Sequence, residues 1–204
     1  MTETPPAPRG RRRSAQSHQA ILRAANDLIR EDGYSNLSIE GIAARAGVGK
    51  QTIYRWWPSK GAVAVDALIA QFEVSATWTD TGDFRADYLD HLRRFATLVT
   101  DPAFGPHIAA LTCEALHDPA VAEVLQLRVM GPSRAAHREN VARAQADGTV
   151  RDDIDIDLAI DMMYAPFWFR LFTRVVPLSE LDPVALGQAV LRALEPRAVD
   201  GGSD

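Results

Sequence analysis

The stretch Gly49-Lys50-Gln51-Thr52-Ile53-Tyr54-Arg55-Trp56-Trp57-Pro58-Ser59-Lys60 interleaves polar and basic side chains with aromatic ones. Most of its polar groups are hydrogen-bond donors. A lysine can donate to guanine O6 and N7, and a glutamine can bond bidentately to adenine N6 and N7. Thr52, Tyr54 and Lys60 carry the hydroxyl and ammonium groups that contact phosphates, which set register and not sequence. Arg55 and Trp56 follow on the same outward side, and Ser38 stands eleven residues before Gly49. Ser38, Lys50, Gln51, Thr52, Tyr54, Arg55, Trp56 and Lys60 are therefore the candidate residues for contact with double-stranded DNA.

Other constellations offer less. His107, Cys113 and His117 could supply a thiolate and two imidazoles, but zinc would need a fourth ligand, and scattered buried side chains explain them better. Asp153, Asp155 and Asp157 imitate the opening of a calcium loop. Leu158 and Tyr164 occupy the places of its glycine and glutamate. No nucleophile elbow, phosphate-binding Gly-Lys loop or dinucleotide fingerprint occurs. No catalytic residue, metal or cofactor is expected.

The donors need short, rigid elements to hold them. Apolar positions Ile21, Leu22, Ala24, Ala25, Leu28 and Ile29 predict a helix from Ser17, closed by Gly33. Ser38 then suits the N-cap of a helix Ile39 to Ala46, with Glu40 in its first turn. Gly47-Val48-Gly49 breaks the chain, Lys50 to Trp57 form the next helix, and Ser59 caps a longer one after Pro58. Two short helices joined by a glycine-containing turn make a helix-turn-helix. After a polar break at 77–83 nearly everything reads as helix. Tyr88, Leu89, Leu92, Phe95, Ala96 and Val99 form one stripe, and Asp101-Pro102, Asp118-Pro119 and Asp182-Pro183 each suit a helix start. Strand-like alternation is too scarce to build a sheet. The expectation is an all-α chain of about nine helices, in four parts: a disordered basic tail (1–14), a helix-turn-helix domain (15–75), a helical domain (83–197) and a disordered tail (198–204).

Charge agrees with this division. The chain has 204 residues, 47% hydrophobic and 24% charged, and a net charge of -5. Residues 1–60 carry ten basic side chains against five acidic ones, which leaves the remainder at -10. Such asymmetry suits a polyanion at one end. The Arg9, Arg11, Arg12, Arg13 tail could add a phosphate or minor-groove contact, as homeodomain arms do. No apolar run is long enough for a membrane helix, the N-terminus lacks the apolar core of a secretory signal, and the lone Cys113 cannot form an internal disulfide. A cytoplasmic location is expected.

Ala20-Ile21-Leu22-Arg23-Ala24-Ala25, Gly33-Tyr34-Ser35 and Leu37 through Lys60 together resemble the DNA-binding domain of the TetR family of bacterial regulators. Two positions depart from the usual pattern: Arg55-Trp56-Trp57 ends the reading helix, and Gly41 stands where an acidic residue often completes a capping box. The resemblance implies a dimer built from the last two helices, bound to a pseudo-palindromic operator. It also implies a small-molecule effector whose binding in the C-terminal domain releases DNA. Most relatives repress. An enzyme or carrier with an incidental basic end, and an architectural protein indifferent to sequence, are the competing readings.

The C-terminal pattern is compatible with these implications. Phe95, Phe104, His107, Cys113, Met130, Met163, Trp168 and Phe172, together with Trp78 and Met162, could line a largely apolar cavity, or simply pack as core. The helix containing Phe167 and Leu171 is apolar nearly all round, and Leu186, Val190 and Leu194 give the last helix a broad apolar face. Such a pair either buries one side against a second copy or serves as a central core.

Overall fold

The computed structural model describes residues 9–72 and 78–196, with side chains described over 14–70 and 78–196. Among them are ten α-helices and no strand: α1 (Arg9–Asp32), α2 (Ile39–Ala46), α3 (Lys50–Tyr54), α4 (Lys60–Phe72), α5 (Phe84–Thr100), α6 (Gly105–Ala115), α7 (Pro119–Leu125), α8 (Gly131–Ala146), α9 (Ile156–Thr173) and α10 (Pro183–Leu194). The all-α expectation holds, with one more helix than expected. The segment 119–146 divides because a π turn at Gln126–Met130 separates α7 from α8. Pro132 has no N–H to return to the Arg128 carbonyl, and the wider turn relieves the clash of its ring with that carbonyl.

Three boundaries differ from those read in the sequence. The first helix begins at Arg9, so residues 9–14 are helical and not part of a structureless tail. Arginine is a good helix former, and a helix already nucleated downstream extends through it. α3 stops at Tyr54 rather than Trp57. Asp101 accepts from the N–H groups of Ala103 and Phe104 and so makes a turn, while α6 starts only at Gly105. Asp118 and Asp182 do cap α7 and α10, each accepting from two N–H groups. The expected tail 198–204 and residues 1–8 lie outside the described residues.

Contacts divide the chain into two units, and the division is not contiguous. The first comprises Met1–Phe72 with Pro106–Val129, the second Glu73–Gly105 with Met130–Asp204. In the first, Ile21, Ala25 and Ile29 recur every four residues and are buried in α1, which packs against α2 and α4. α4 is apolar on two sides, with Val63, Ala64, Val65 and Ala67 fully buried, and its second side is covered by α7. The α4–α7 approach needs Gly61, where an added Cβ would lie 2.5 Å from the Val121 side chain.

In the second unit α5 packs against α10, and α9 against α8. Gly187 permits the first approach, since a Cβ there would come within 2.6 Å of Leu89. Arg134 pairs with Asp157 and Asp161, and Arg138 also reaches Asp157, tying α8 to α9. The acidic run 153–157 thus has structural duties: Asp155 caps α9 through the Leu158 N–H, and Asp153 pairs with Arg151. No cluster of metal-ligating side chains occurs among the described residues.

Candidate nucleic-acid interface

The reading element is built around two isoleucines. Ile42 of α2 and Ile53 of α3 are both completely buried, and they clamp the short helices together. Gly47 makes the reversal possible with φ 66°, a left-handed conformation in which a side chain would be strained. Ser38 caps α2, its Oγ accepting from the Gly41 N–H at 3.0 Å. A Cβ at Gly41 would sit 3.2 Å from that oxygen, so a glycine leaves the cap undisturbed.

With Ile53 inward, the other side chains of α3 face out. Lys50, Gln51 and Tyr54 are exposed and Thr52 is half-buried. Arg55 lies beyond the helix in a turn, its guanidinium carbon 4.9 Å from the centre of the Trp56 ring. Lys60 Nζ lies 5.0 Å from the centre of the Tyr34 ring. Burial, with help from Glu114 and Asp118, pushes the Tyr34 hydroxyl up to about 12, so it stays neutral beneath that cation. Seven of the eight residues expected at the DNA lie on or beside α2 and α3 and Lys60 opens α4; Ser38, Lys50, Gln51, Tyr54 and Arg55 are exposed.

The shortened α3 has a cause in its own sequence. Trp57 is buried, and its Nε1–H donates to Asp66 Oδ2 of α4 at 2.9 Å. His18 of α1 packs on it at 4.7 Å, and Trp56 meets both rings edge-on. Drawing Trp57 inward unwinds the chain at Arg55-Trp56, and Pro58 prevents its continuation. Asp66 is held in turn by Arg128 at 3.2 Å.

Pairwise spacing along one helix could not reveal two further pairs. Lys50 Nζ donates to Glu40 Oε1 at 2.8 Å, and Arg45 forms a bidentate pair with Glu31 at 3.0 and 2.6 Å. The hydrogen bond from Lys50 holds the Glu40 carboxyl below its ordinary value, and Glu40 raises Lys50 correspondingly. Glu40 thus stands against the first residue of α3, a contact the sequence pattern missed. The signal was present, because a helix-turn-helix brings the first turn of one helix towards the start of the next.

The cavity candidates divide between the units. His107 and Cys113 belong to the first, where His107 is buried and Cys113 exposed. Phe95, Phe104, Met130, Met163, Trp168 and Phe172 belong to the second, where Met163 is fully buried and Phe95, Trp168 and Phe172 form a ladder of ring contacts. Beside that ladder lies a polar centre that apolar periodicity could not show. His91 of α5 and His137 of α8 are buried with their Nε2 atoms 3.3 Å apart. His137 Nδ1–H donates to the Ser133 carbonyl, so its Nε2 is the acceptor for His91 Nε2–H. Trp78 stacks on His91, and Tyr164 lies edge-to-face on both histidines. Burial lowers the pKa of His137 and raises those of Tyr88 and Tyr164. The hydroxyls of Tyr88 and Tyr164 are buried without a hydrogen-bond partner. A cleft of about 400 Å³ between α5 and residues 178–183 touches Phe167 but none of the expected cavity residues.

The residues expected at a dimer surface are placed differently along the two helices. Phe167, Val190 and Leu194 are buried within their own unit, and Leu171 and Leu186 are half-buried. Phe167 packs edge-to-face on Phe95 of α5, with ring centres 5.3 Å apart. The apolar side left open is Leu158, Phe169 and Phe172, which are 53%, 61% and 41% exposed.

Two short helices joined by a glycine turn over buried isoleucines, an outward row of donors and a further helical unit define a helix-turn-helix transcriptional regulator. Comparison with known proteins agrees: residues 21–67 match the bacterial regulatory proteins of the tetR family, and residues 78–190 match the tetracyclin repressor-like C-terminal domain. The chain belongs to the TetR family, whose members are DNA-binding regulators and not enzymes. It is 34% identical over 163 residues to the HTH-type transcriptional regulator YdeS of Bacillus subtilis, covering 80% of this chain and 82% of that protein. It is 30% identical over 188 residues to the DNA-binding transcriptional repressor TetR of Mycobacteroides abscessus, covering 89% and 92%. The crystal structure of the TetR family transcription regulator SCO0332 superposes with a TM-score of 0.72 at 30% identity, covering 93% of this chain and all of that one. No helix among the described residues is long and apolar enough to cross a membrane.

Proposed function

We propose that this chain is a cytoplasmic repressor that binds a pseudo-palindromic operator as a homodimer and is released by a small molecule. The observation that carries the reading is the geometry of α3: Ile53 anchors it while Lys50, Gln51 and Arg55 stand exposed around it. Side chains near the start of such a helix reach base edges in the major groove, while Thr52, Tyr54 and Lys60 suit phosphates. The 30% identity to a DNA-binding transcriptional repressor favours repression. Titration of the full chain with its own upstream DNA, against random duplex at the same salt, tests this. Preference of at least ~10³-fold supports it, and equal affinity overturns it.

The open side of α9 supports the homodimer. Leu158, Phe169 and Phe172 leave apolar surface exposed on an otherwise well-packed unit, and a second copy would cover it. Phe169→Glu should give monomers by sedimentation and weaken operator binding while leaving helix content intact. The effector reading draws on the polar centre, where the Tyr88 and Tyr164 hydroxyls offer directional groups among the rings of Trp78, His91, Phe95 and His137. A ligand that prefers one of two dimer geometries releases DNA by that difference in affinity alone.

A further inference from the structure

We infer that Glu40 and Lys50 act together as a single reader of one G·C base pair in each half-site. The inference rests on α3 being the helix that enters the major groove. Lys50 is the first residue of α3 and Glu40 stands in the first turn of α2, and the turn at Gly47 brings them together at 2.8 Å. Both side chains are more than half exposed, at 54% and 67%, so the pair stands where DNA would arrive and not in a core.

The pair presents an ammonium donor and a carboxylate acceptor side by side. The major-groove edge of a G·C pair presents the opposite set: guanine O6 and N7 accept, and cytosine N4–H donates. Guanine O6 and cytosine N4 are themselves hydrogen-bonded in the base pair, so they are spaced like Lys50 Nζ and Glu40 Oε1. Nζ–H can then donate to O6 or N7 while N4–H donates to the carboxylate, and the ion pair need not break. A T·A pair keeps the central acceptor and donor but sets the thymine methyl where guanine has N7, so the reach of Lys50 to N7 separates G·C from it. An A·T pair reverses the central pattern, with the amino donor on the purine and the acceptor O4 on the pyrimidine. It would leave the Glu40 carboxylate facing an acceptor.

Electrostatics favours this division of labour over a phosphate contact. The pair is net neutral, so it adds little to the attraction of the duplex and cannot serve as a phosphate clamp. An exposed ion pair also contributes little to folding, so stability alone gives little reason for its presence. A lone lysine would bind any backbone, whereas a lysine held by Glu40 gains most where both partners are satisfied at once.

The test uses the full-length protein and a duplex library randomised across the binding site. Bound and input DNA are sequenced to give base preferences at every position. The native chain should require G·C at one position per half-site. Glu40→Gln and Lys50→Met should each cost about tenfold in preference at that same position. The double variant should lose no more there than either single one, and its salt dependence should match that of the native chain. Glu40→Asp, which keeps the charge but shortens the reach, should lose the preference too. Changes at different positions, a Glu40→Gln variant that merely tightens every sequence alike, or a Glu40→Asp variant with native preference would each overturn the inference. If Lys50→Met and Gln51→Ala both leave all preferences unchanged, the assignment of α3 as the reading helix fails instead.

Discussion

The helices α1–α4 and the layer formed by α5, α8 and α9 handle polar groups in opposite ways. Between residues 14 and 70 no charged or histidine side chain is buried, and the groups suited to DNA are exposed or half-buried. In the second layer Asp87, His91, His137 and Asn140 are buried, the two histidines among aromatic rings. Asp87 is satisfied, accepting from the Thr81 N–H and hydroxyl at 2.8 and 2.7 Å, but the Tyr88 and Tyr164 hydroxyls are not. A reading head gains from one stiff shape, which aliphatic packing provides. Buried unpaired hydroxyls cost stability and leave groups for something else to satisfy.

The largest effect should come from the stiff region. Ile53→Ala should remove about 2 to 5 kcal/mol, measured by urea unfolding, because the side chain is fully buried between two short helices that cannot close the void. A loss below about 1 kcal/mol would show that α2 and α3 adapt, and the contrast would collapse.

Acid should come next, through histidines that α1–α4 do not bury. Burial lowers His107 of α6 from 6.5 to about 4 and lowers His137 as well. The unfolded chain therefore takes up protons before the folded one does. The stability these groups provide is complete above pH 6.5 and declines as pH falls from 6.5 towards 4. For His107 the decline amounts to about 3 kcal/mol. Urea midpoints between pH 7 and pH 4 should fall more steeply for the native chain than for His107→Leu. Parallel curves would mean that His107 is protonated in place.

A matched pair of substitutions gives opposite signs. Trp57→Phe deletes the donor to Asp66 and should cost about 1.5 to 3 kcal/mol. Tyr164→Phe deletes a buried hydroxyl with no partner and should stabilise the chain by about 1 kcal/mol, the smallest change of the set. Calorimetry on both variants decides the matter, and a destabilised Tyr164→Phe would show that the hydroxyl is satisfied in solution.

Legibility in the sequence followed the same contrast. The reading head was visible because its signals are local: a serine cap, a glycine reversal, and donors following one another along a short helix. Helix periods and the Asp-Pro starts at Asp118 and Asp182 likewise revealed the all-α fold. Glu40 was missed because its partner lies on another helix. His91 and His137 were missed because a search for apolar periodicity passes over polar residues that happen to be buried, and the Tyr88 hydroxyl was missed because that residue counts as part of an apolar stripe. The burial of Phe167, Val190 and Leu194 within their own unit was not legible, because pattern shows which side of a helix is apolar, not which of two apolar sides faces inward.

The salt link from Arg128 to Asp66, and the seat of Val121 against Gly61, make residues 106–129 physical property of the reading head although they lie far along the chain. A fragment cut near residue 75 would leave the apolar side of α4 bare and should aggregate or unfold. By the same logic, a gene fusion that grafts this head onto a foreign sensor must carry α6 and α7 with it. In modular terms, the heritable cassette for DNA reading is two stretches of chain, and shuffling only the first would not transplant it.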